Sequence, residues 1–265
     1  MIMNLQFLII DPQNDFANPK GSLFVTGADK DSERLAAMLK RHISKIDDIH
    51  VTLDSHHWMD IAHPIFWMDS KGNHPAPFTT ITEDDVKNGK WRTTQPNCQA
   101  RALAYVQALK LGGRYDLTIW PPHCLIGHYG HNVVDPIAKM LIEWENQLAI
   151  VDMVTKGSNP WTEHYSAVQA DVPDPEDPST QLNTRLINTL EEADLIALSG
   201  QALSHCVANT IRDIANNFGE ANISKMVLID DTSSPVPGFE AMAEQFLREM
   251  KGRGMRTAKS TEFLI

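Results

Sequence analysis

The sequence has only three cysteines, Cys98, Cys124 and Cys206. They are too few and too scattered for a disulfide framework, which points to a reducing cytoplasm. Basic charge is also scarce. Against 34 Asp and Glu stand 23 Lys and Arg, a formal net charge of −11, so neither nucleic acid nor an anionic membrane is expected as partner, because both select clustered Lys and Arg. No apolar run approaches the length of a membrane span. The apolar start, Phe7 to Ile10, lacks a basic flank and a cleavage site and runs straight into Asp11, so it reads as a first strand and not as a signal peptide. No internal repeat and no interdomain linker stand out. What remains is a small-molecule partner. A homo-oligomer is compatible with this composition, but no residue pattern specifies one.

What is present is 42% hydrophobic residues in 265, enough for one α/β domain spanning 1–265. Leu5 to Ile10 is a short continuous apolar run, as in a central parallel strand buried on both faces. Leu35, Met38, Leu39, His42, Ile43 and Ile46 mark a helix stripe, with Asp31 or Ser32 as its cap. Ile49 to Leu53 reads as a strand ending in Asp54-Ser55-His56-His57. Alternation along a strand would point Asp54 and His56 the same way. Residues 64–115 form a Pro-, Gly- and Thr-rich stretch that turns helical, with a capping box from Thr82 and a helix closed by Gly112-Gly113. Further strands are expected at Leu117 to Trp120, Leu148 to Val154, Leu195 to Leu198 and Met226 to Ile229. Helix stripes are expected around Ile137 to Trp144, Val207 to Phe218 and Phe239 to Met250. This alternation predicts a three-layer α/β/α sandwich with a mostly parallel sheet.

Chemistry gathers at the strand ends. Gly200-Gln201-Ala202-Leu203-Ser204-His205-Cys206 lies between a strand and a helix. A thiol there meets free N–H groups and the positive end of a helix dipole, which favours thiolate. Asp11, Asp54 with His56, and Lys156 close three other strands, and in a parallel sheet such ends share one edge. A carboxylate that takes a thiol proton and an ammonium that stabilises the anions would complete a nucleophilic site. Read singly, Cys206 could be a small buried hydrophobe, Asp11 a turn cap and Lys156 a solvated charge.

With Asp11-Pro12-Gln13-Asn14-Asp15-Phe16, Gly21-Ser22-Leu23, Lys156-Gly157 and the run Gly200 to Val207, the chain resembles the isochorismatase-like cysteine hydrolases. It is most similar to the nicotinamidases among them. The resemblance implies Asp11, Lys156 and Cys206 as catalytic residues and a non-proline cis peptide at Gln201-Ala202. It further implies an oxyanion hole from the N–H groups of Ala202 and Cys206, and Phe16, Trp120, Ala202 and His205 against the substrate. Asp54-Ser55-His56 and Trp120-Pro121-Pro122-His123-Cys124 match the nicotinamidase metal pattern, so Asp54, His56 and His123 would bind one divalent ion, Zn, Mn or Fe. His63 is the candidate for a further ligand. Residues 64–115 would be an insertion.

The activity so implied is hydrolysis of nicotinamide to nicotinic acid and ammonia through a thioester on Cys206, a cytoplasmic step of NAD metabolism. Two alternatives stay open at this stage. One is a relative acting on another small amide or carbamoyl compound; the other is a catalytically silent binding protein on the same fold.

Overall fold

A computed structural model describes residues 3–113 and 115–264. Six strands build the central sheet: β1 (Leu5–Ile10), β2 (Asp48–Asp54), β3 (Asp152–Lys156), β4 (Leu195–Gly200), β5 (Met226–Ile229) and β6 (Arg256–Ala258). Their spatial order is β6-β5-β4-β1-β2-β3, and every neighbouring pair is parallel. All residues of β1, β4 and β5 are buried, as their unbroken apolar runs require of strands covered on both faces. β3 alternates, with Val154 and Lys156 buried and Met153 and Thr155 exposed. It is an edge strand.

Six helices of eight or more residues flank the sheet: α1 (Ala28–His42), α2 (Gln99–Gly112), α3 (Asp135–Glu145), α4 (Thr184–Glu191), α5 (Cys206–Phe218) and α6 (Glu240–Gly252). α1 packs on α3, while α4 and α6 pack on α5, giving the three layers expected from sequence. Among the described residues no helix is long and apolar enough to cross a membrane.

Several local expectations need correction. The strand read from Leu148 to Val154 starts only at Asp152; Leu148 lies in a turn with φ +63° and is 98% exposed. Apolar content misled there because the turn leaves those side chains in solvent. Leu117 to Trp120 is not a strand of the main sheet. Leu117–Thr118 pairs antiparallel with Thr80–Ile81, beside a second small ribbon of Trp67–Met68 with Arg92–Thr93. α1 starts at Ala28 after Gly27, so neither Asp31 nor Ser32 caps it. Thr82 does cap its short helix, reciprocally with Asp85. α4 carries a one-sided apolar stripe, Leu186, Ile187 and Leu190, that makes it legible in the sequence, whereas β6 is three residues long with none buried.

Strand order reverses between β1 and β4, whose connections leave in opposite directions. The crevice at such a switch point, beyond the carboxyl ends of the strands, is where open α/β sheets bind ligands. Ile10 and Gly200 pair across it. Gly200 has φ +126°, and a Cβ on it would lie 1.9 Å from the Ile10 carbonyl oxygen. No side chain fits without parting the two central strands. Gly200→Ala is therefore expected to cost more than about 3 kcal/mol of folding stability, read as a lower urea midpoint; a midpoint equal to wild type would contradict the strand contact.

Candidate active site

Three parallel strands deliver three charges to one place. Asp11 follows β1 with φ +45°, its N–H held by Thr52 O at 3.2 Å and Thr52 Oγ1 at 3.0 Å on β2, and the Thr52 hydroxyl donates back to its carboxylate. Asp54 and Lys156 close β2 and β3 in direct register. The Lys156 ammonium, 3% exposed as a residue, lies 2.9 Å from Asp54 Oδ1, 2.9 Å from the His164 carbonyl, 3.7 Å from Cys206 Sγ and 3.0 Å from Asp11 Oδ2. Its three N–H groups serve the first three of these. Asp11 Oδ2 touches that ammonium without a directed hydrogen bond from it, and the Asp11 carboxylate lies close enough to the Cys206 thiol to share a hydrogen bond with it. Gly157 has φ +80°, and a Cβ there would sit 2.8 Å from Asp54 Oδ1, so the glycine after the lysine keeps that contact open.

Cys206 is the first residue of α5, in the position expected from sequence. Its thiol differs from expectation. Burial pushes it well above the usual range, Lys156 pulls down, and Asp11 and Asp54 push up again. The resting group is a thiol, and ionising it needs a base. Burial also raises the Asp11 carboxyl against the pull of Lys156, which suits it to hold a proton. Burial works against the Lys156 charge, yet the two carboxylates outweigh it and carry Lys156 well above its usual range.

Asp54 faces both ways. Its Oδ2 lies 3.0 Å from His56 Nε2 and 3.3 Å from His123 Nε2, and the three residues offer buried ligand atoms within 4.8 Å of one another. His56 Nδ1 meets Asp60 Oδ2 at 3.0 Å and His123 Nδ1 meets the Pro121 carbonyl at 2.9 Å. With both Nδ1–H groups engaged, both Nε2 lone pairs turn to the same point, as metal-ligating histidines do. One carboxylate and two imidazoles so arranged fit Zn, Mn or Fe in the divalent state. The rings of His63 and His56 are 5.2 Å apart, those of His63 and His123 5.6 Å, and His63 Nε2 is buried without a partner. Burial works against a charged His56, but Asp54 and Asp60 hold it well above its usual range. These carboxylates favour positive charge at Nε2, either a proton or, in its place, a bound divalent ion.

The opening motif explains itself here. Gln13 accepts the Asp54 N–H at 2.7 Å and donates to the Asp54 carbonyl at 2.7 Å, bracketing that residue like one more strand. Asp15 accepts the Cys124 N–H at 2.7 Å and the Ser22 N–H at 3.0 Å, while the Cys124 carbonyl takes the His56 N–H at 3.1 Å. The loop carrying His123 is thus tied to the loops carrying Asp11 and His56. His57 and His128 are exposed, His74 bonds to the Trp67 carbonyl and His131 to Ser55 Oγ.

Phe16, Trp120, His123, Ala202, His205 and Cys206 line a cavity of about 30 Å³, counted by where the centre of a water can sit. Such a space admits only a small ligand. All four expected substrate contacts are on its wall. The Trp120 indole N–H donates to Tyr165 Oη at 2.9 Å, and its ring meets His205 edge-on at 5.2 Å, so the aromatic walls are fixed by their neighbours. Gln201-Ala202 is cis. Among the described residues neither the Ala202 nor the Cys206 N–H donates to any acceptor. Gln13 and Asp15 belong to the opening motif, which the sequence gives no structural role; Asp60, Glu163 and Tyr165 are not singled out by sequence, and of these only Asp60, four residues after His56, has a suggestive spacing.

Glu163 also lines the cavity, with Oε1 accepting the His164 N–H at 3.0 Å and Oε2 unpartnered. Burial pushes its carboxyl up to about 8. The folded state therefore binds this proton more tightly than the unfolded chain. The stability it contributes is fully present below the ordinary carboxylate range and lost as pH rises through about 8. Glu163→Gln, neutral at every pH, is expected to flatten the fall of the urea midpoint between about pH 5 and 9; parallel wild-type and variant curves would place the raised group elsewhere.

No family model matches this sequence, and no curated protein sequence matches it. Solved structures do. The yeast nicotinamidase superposes with a TM-score of 0.67 at 19% identity, over 96% of this chain and 99% of its own. An Acinetobacter nicotinamidase/pyrazinamidase gives 0.65 at 20% identity, over 98% and 97%. The Pyrococcus horikoshii pyrazinamidase, solved with zinc, gives 0.58 at 19% identity, over 97% and 99%. What so distant a likeness shows is architecture: this chain has the isochorismatase-like α/β fold of the nicotinamidases.

Proposed function

We propose that the protein is a metal-assisted cysteine amidohydrolase that converts nicotinamide and water to nicotinic acid and ammonia. The observation that carries this reading is the buried contact of Lys156 with Asp11, Asp54 and Cys206, the last two of which line a small cavity with Phe16 and Trp120. A binding protein gains nothing from holding a lysine, two carboxylates and a thiol together out of water. The yeast neighbour, also solved with the inhibitor nicotinaldehyde, supports the substrate class.

In this reading Asp11 takes the Cys206 proton and Sγ attacks the amide carbonyl. Its oxygen becomes an anion facing the N–H groups of Ala202 and Cys206 at the start of α5. Asp11 returns the proton to the leaving nitrogen, and ammonia departs from a thioester. Asp11 then draws a proton from water, whose oxygen adds to the thioester carbon and displaces Sγ; the acid is freed and the proton on Asp11 passes to Sγ, restoring the thiol. Lys156 balances the charge on Asp11 and the sulfur throughout. Phe16 and Trp120 flank the ring. Asp54, His56 and His123, with His63 as a further ligand, would hold a divalent ion, which supplies an electrophilic contact orienting the ring nitrogen. We read the chain as one domain over 1–265 working in the cytoplasm.

Ammonia release from nicotinamide, pyrazinamide, benzamide and small carbamoyl compounds is the test. Nicotinamide is expected to be cleaved best. Chelation is expected to raise its KM at least about 10-fold without slowing alkylation of Cys206, because the ion aligns the ring and the thiol is the nucleophile. Benzamide cleaved equally well by metal-free enzyme would favour a general small-amide hydrolase, and no turnover of any amide a silent binding protein.

Asp11→Asn is expected to lower kcat by about 10²- to 10⁴-fold, the usual contribution of a general base. A rate within a few-fold of wild type would move the base to another residue.

A further inference from the structure

Gln201 is 2% exposed, and its side chain is not in the cavity wall. A buried amide between a strand and a nucleophile needs a reason, since hydrophobic residues fill such positions without desolvating polar atoms. Its partners supply one. Gln201 Nε2 donates to Asp31 Oδ2 at 2.9 Å in the first turn of α1, and Gln201 Oε1 accepts the Ser234 N–H at 3.3 Å. Asp31 Oδ1 in turn accepts from Arg34 at 2.6 Å, and the Arg34 Nε donates to the Asp231 carbonyl at 2.5 Å. The ring closes on itself: Gln201, Asp31, Arg34, then the loop from Asp231 to Ser234, and back to Gln201.

The same loop and the residues just after it grip the turn before Cys206 at several points. Gly200 N–H reaches Ser233 Oγ at 3.1 Å, Leu203 N–H reaches the Ser234 carbonyl at 2.8 Å, and Val236 N–H reaches Ser204 Oγ at 3.1 Å. The Gln201 N–H donates to the Ile10 carbonyl at 2.8 Å, one residue before Asp11. One residue therefore joins three pieces: the end of β1 through its backbone, and α1 and the 231–234 loop through its side chain. Ala202, whose N–H belongs to the oxyanion site, is its next neighbour.

We propose that Gln201 is a positioning residue, whose doubly held amide fixes the turn bearing the Ala202 and Cys206 N–H groups and so sets stabilisation of the oxyanion. This inference rests on the hydrolase reading above. The polarity of the contact is specific: the oxygen must face a backbone donor and the nitrogen a carboxylate. A methionine fills the volume and satisfies neither. A glutamate keeps the Ser234 contact but sets two carboxylates against each other.

The test compares Gln201→Met, Gln201→Glu, and Gln201→Glu combined with Asp31→Asn, which restores a donor facing an acceptor with the roles exchanged. Each is measured for kcat and KM on nicotinamide, for thermal midpoint, and for alkylation of Cys206 by iodoacetamide. Nicotinaldehyde binding reads the hole without turnover: Sγ bonds to the aldehyde carbon, the C=O π bond opens, and the thiol proton passes to the oxygen. Gln201→Met and Gln201→Glu are expected to lose about 10- to 100-fold in kcat and in aldehyde affinity, with KM and alkylation rate within about 2-fold, below the full loss of an oxyanion donor. The double variant is expected to recover both to within about 3-fold of wild type. Values of kcat and aldehyde affinity within about 2-fold of wild type in Gln201→Met would overturn the assignment. So would a loss that tracks a collapsed thermal midpoint and alkylation rate and is not recovered in the double variant. A wild type that cleaves no amide, yet binds the aldehyde in a Gln201-dependent way, would sink the amidase reading while supporting this one.

Discussion

The buried ammonium of Lys156 is what the rest of this molecule is arranged around. A lysine out of water is costly unless carboxylates neutralise it, and here Asp11 and Asp54 do so from the two strands beside and beyond its own. Such a cluster holds only while complete, since removing one partner from a buried ion pair typically costs about 3–5 kcal/mol. The charges in turn govern the thiol. Burial keeps Cys206 protonated, so its reactivity depends on a neighbouring base and not on a standing thiolate. The positive end of the α5 dipole assists the anion once formed.

Asp54 makes two regions one. Its first oxygen balances Lys156, its second faces the imidazoles of His56 and His123. A cation bound by those imidazoles would face the second oxygen and leave the Lys156 contact on the first in place, so one side chain serves both clusters. Around it the opening motif acts as scaffold. Gln13 brackets the Asp54 backbone and Asp15 anchors the His123 loop, which is why polar residues there are buried instead of solvated.

The turn from Gly200 to Cys206 is supported in the same manner. Its backbone is bound along its length by the segment after β5, and Gln201 extends that support to α1. Polar networks of this kind stabilise little on their own, because desolvation offsets most of their hydrogen-bond energy. Their value lies in specifying one geometry, which a preorganised site requires.

Sequence alone determined the layered α/β architecture, because unbroken apolar runs such as Leu5 to Ile10 and Leu195 to Leu198 fit only strands covered on both faces. It also picked out Asp11, Asp54, His56, His123, Lys156 and Cys206, polar groups at the ends of apolar strands or within recognisable motifs, which the fold brings together in two touching clusters. It could not determine the edge of the sheet. There one face is solvated, pattern weakens, and Leu148 reads as strand while standing in solvent. Nor could it assign Glu163, Asp60 or Gln201, whose roles come from neighbours remote in the chain or from burial that no local pattern records. The protonation of the thiol belongs to the same class. Local sequence predicts a helix N-terminus and hence a thiolate; only the packed structure, by excluding water and placing Asp11 and Asp54 near the sulfur, decides that the resting group is a thiol.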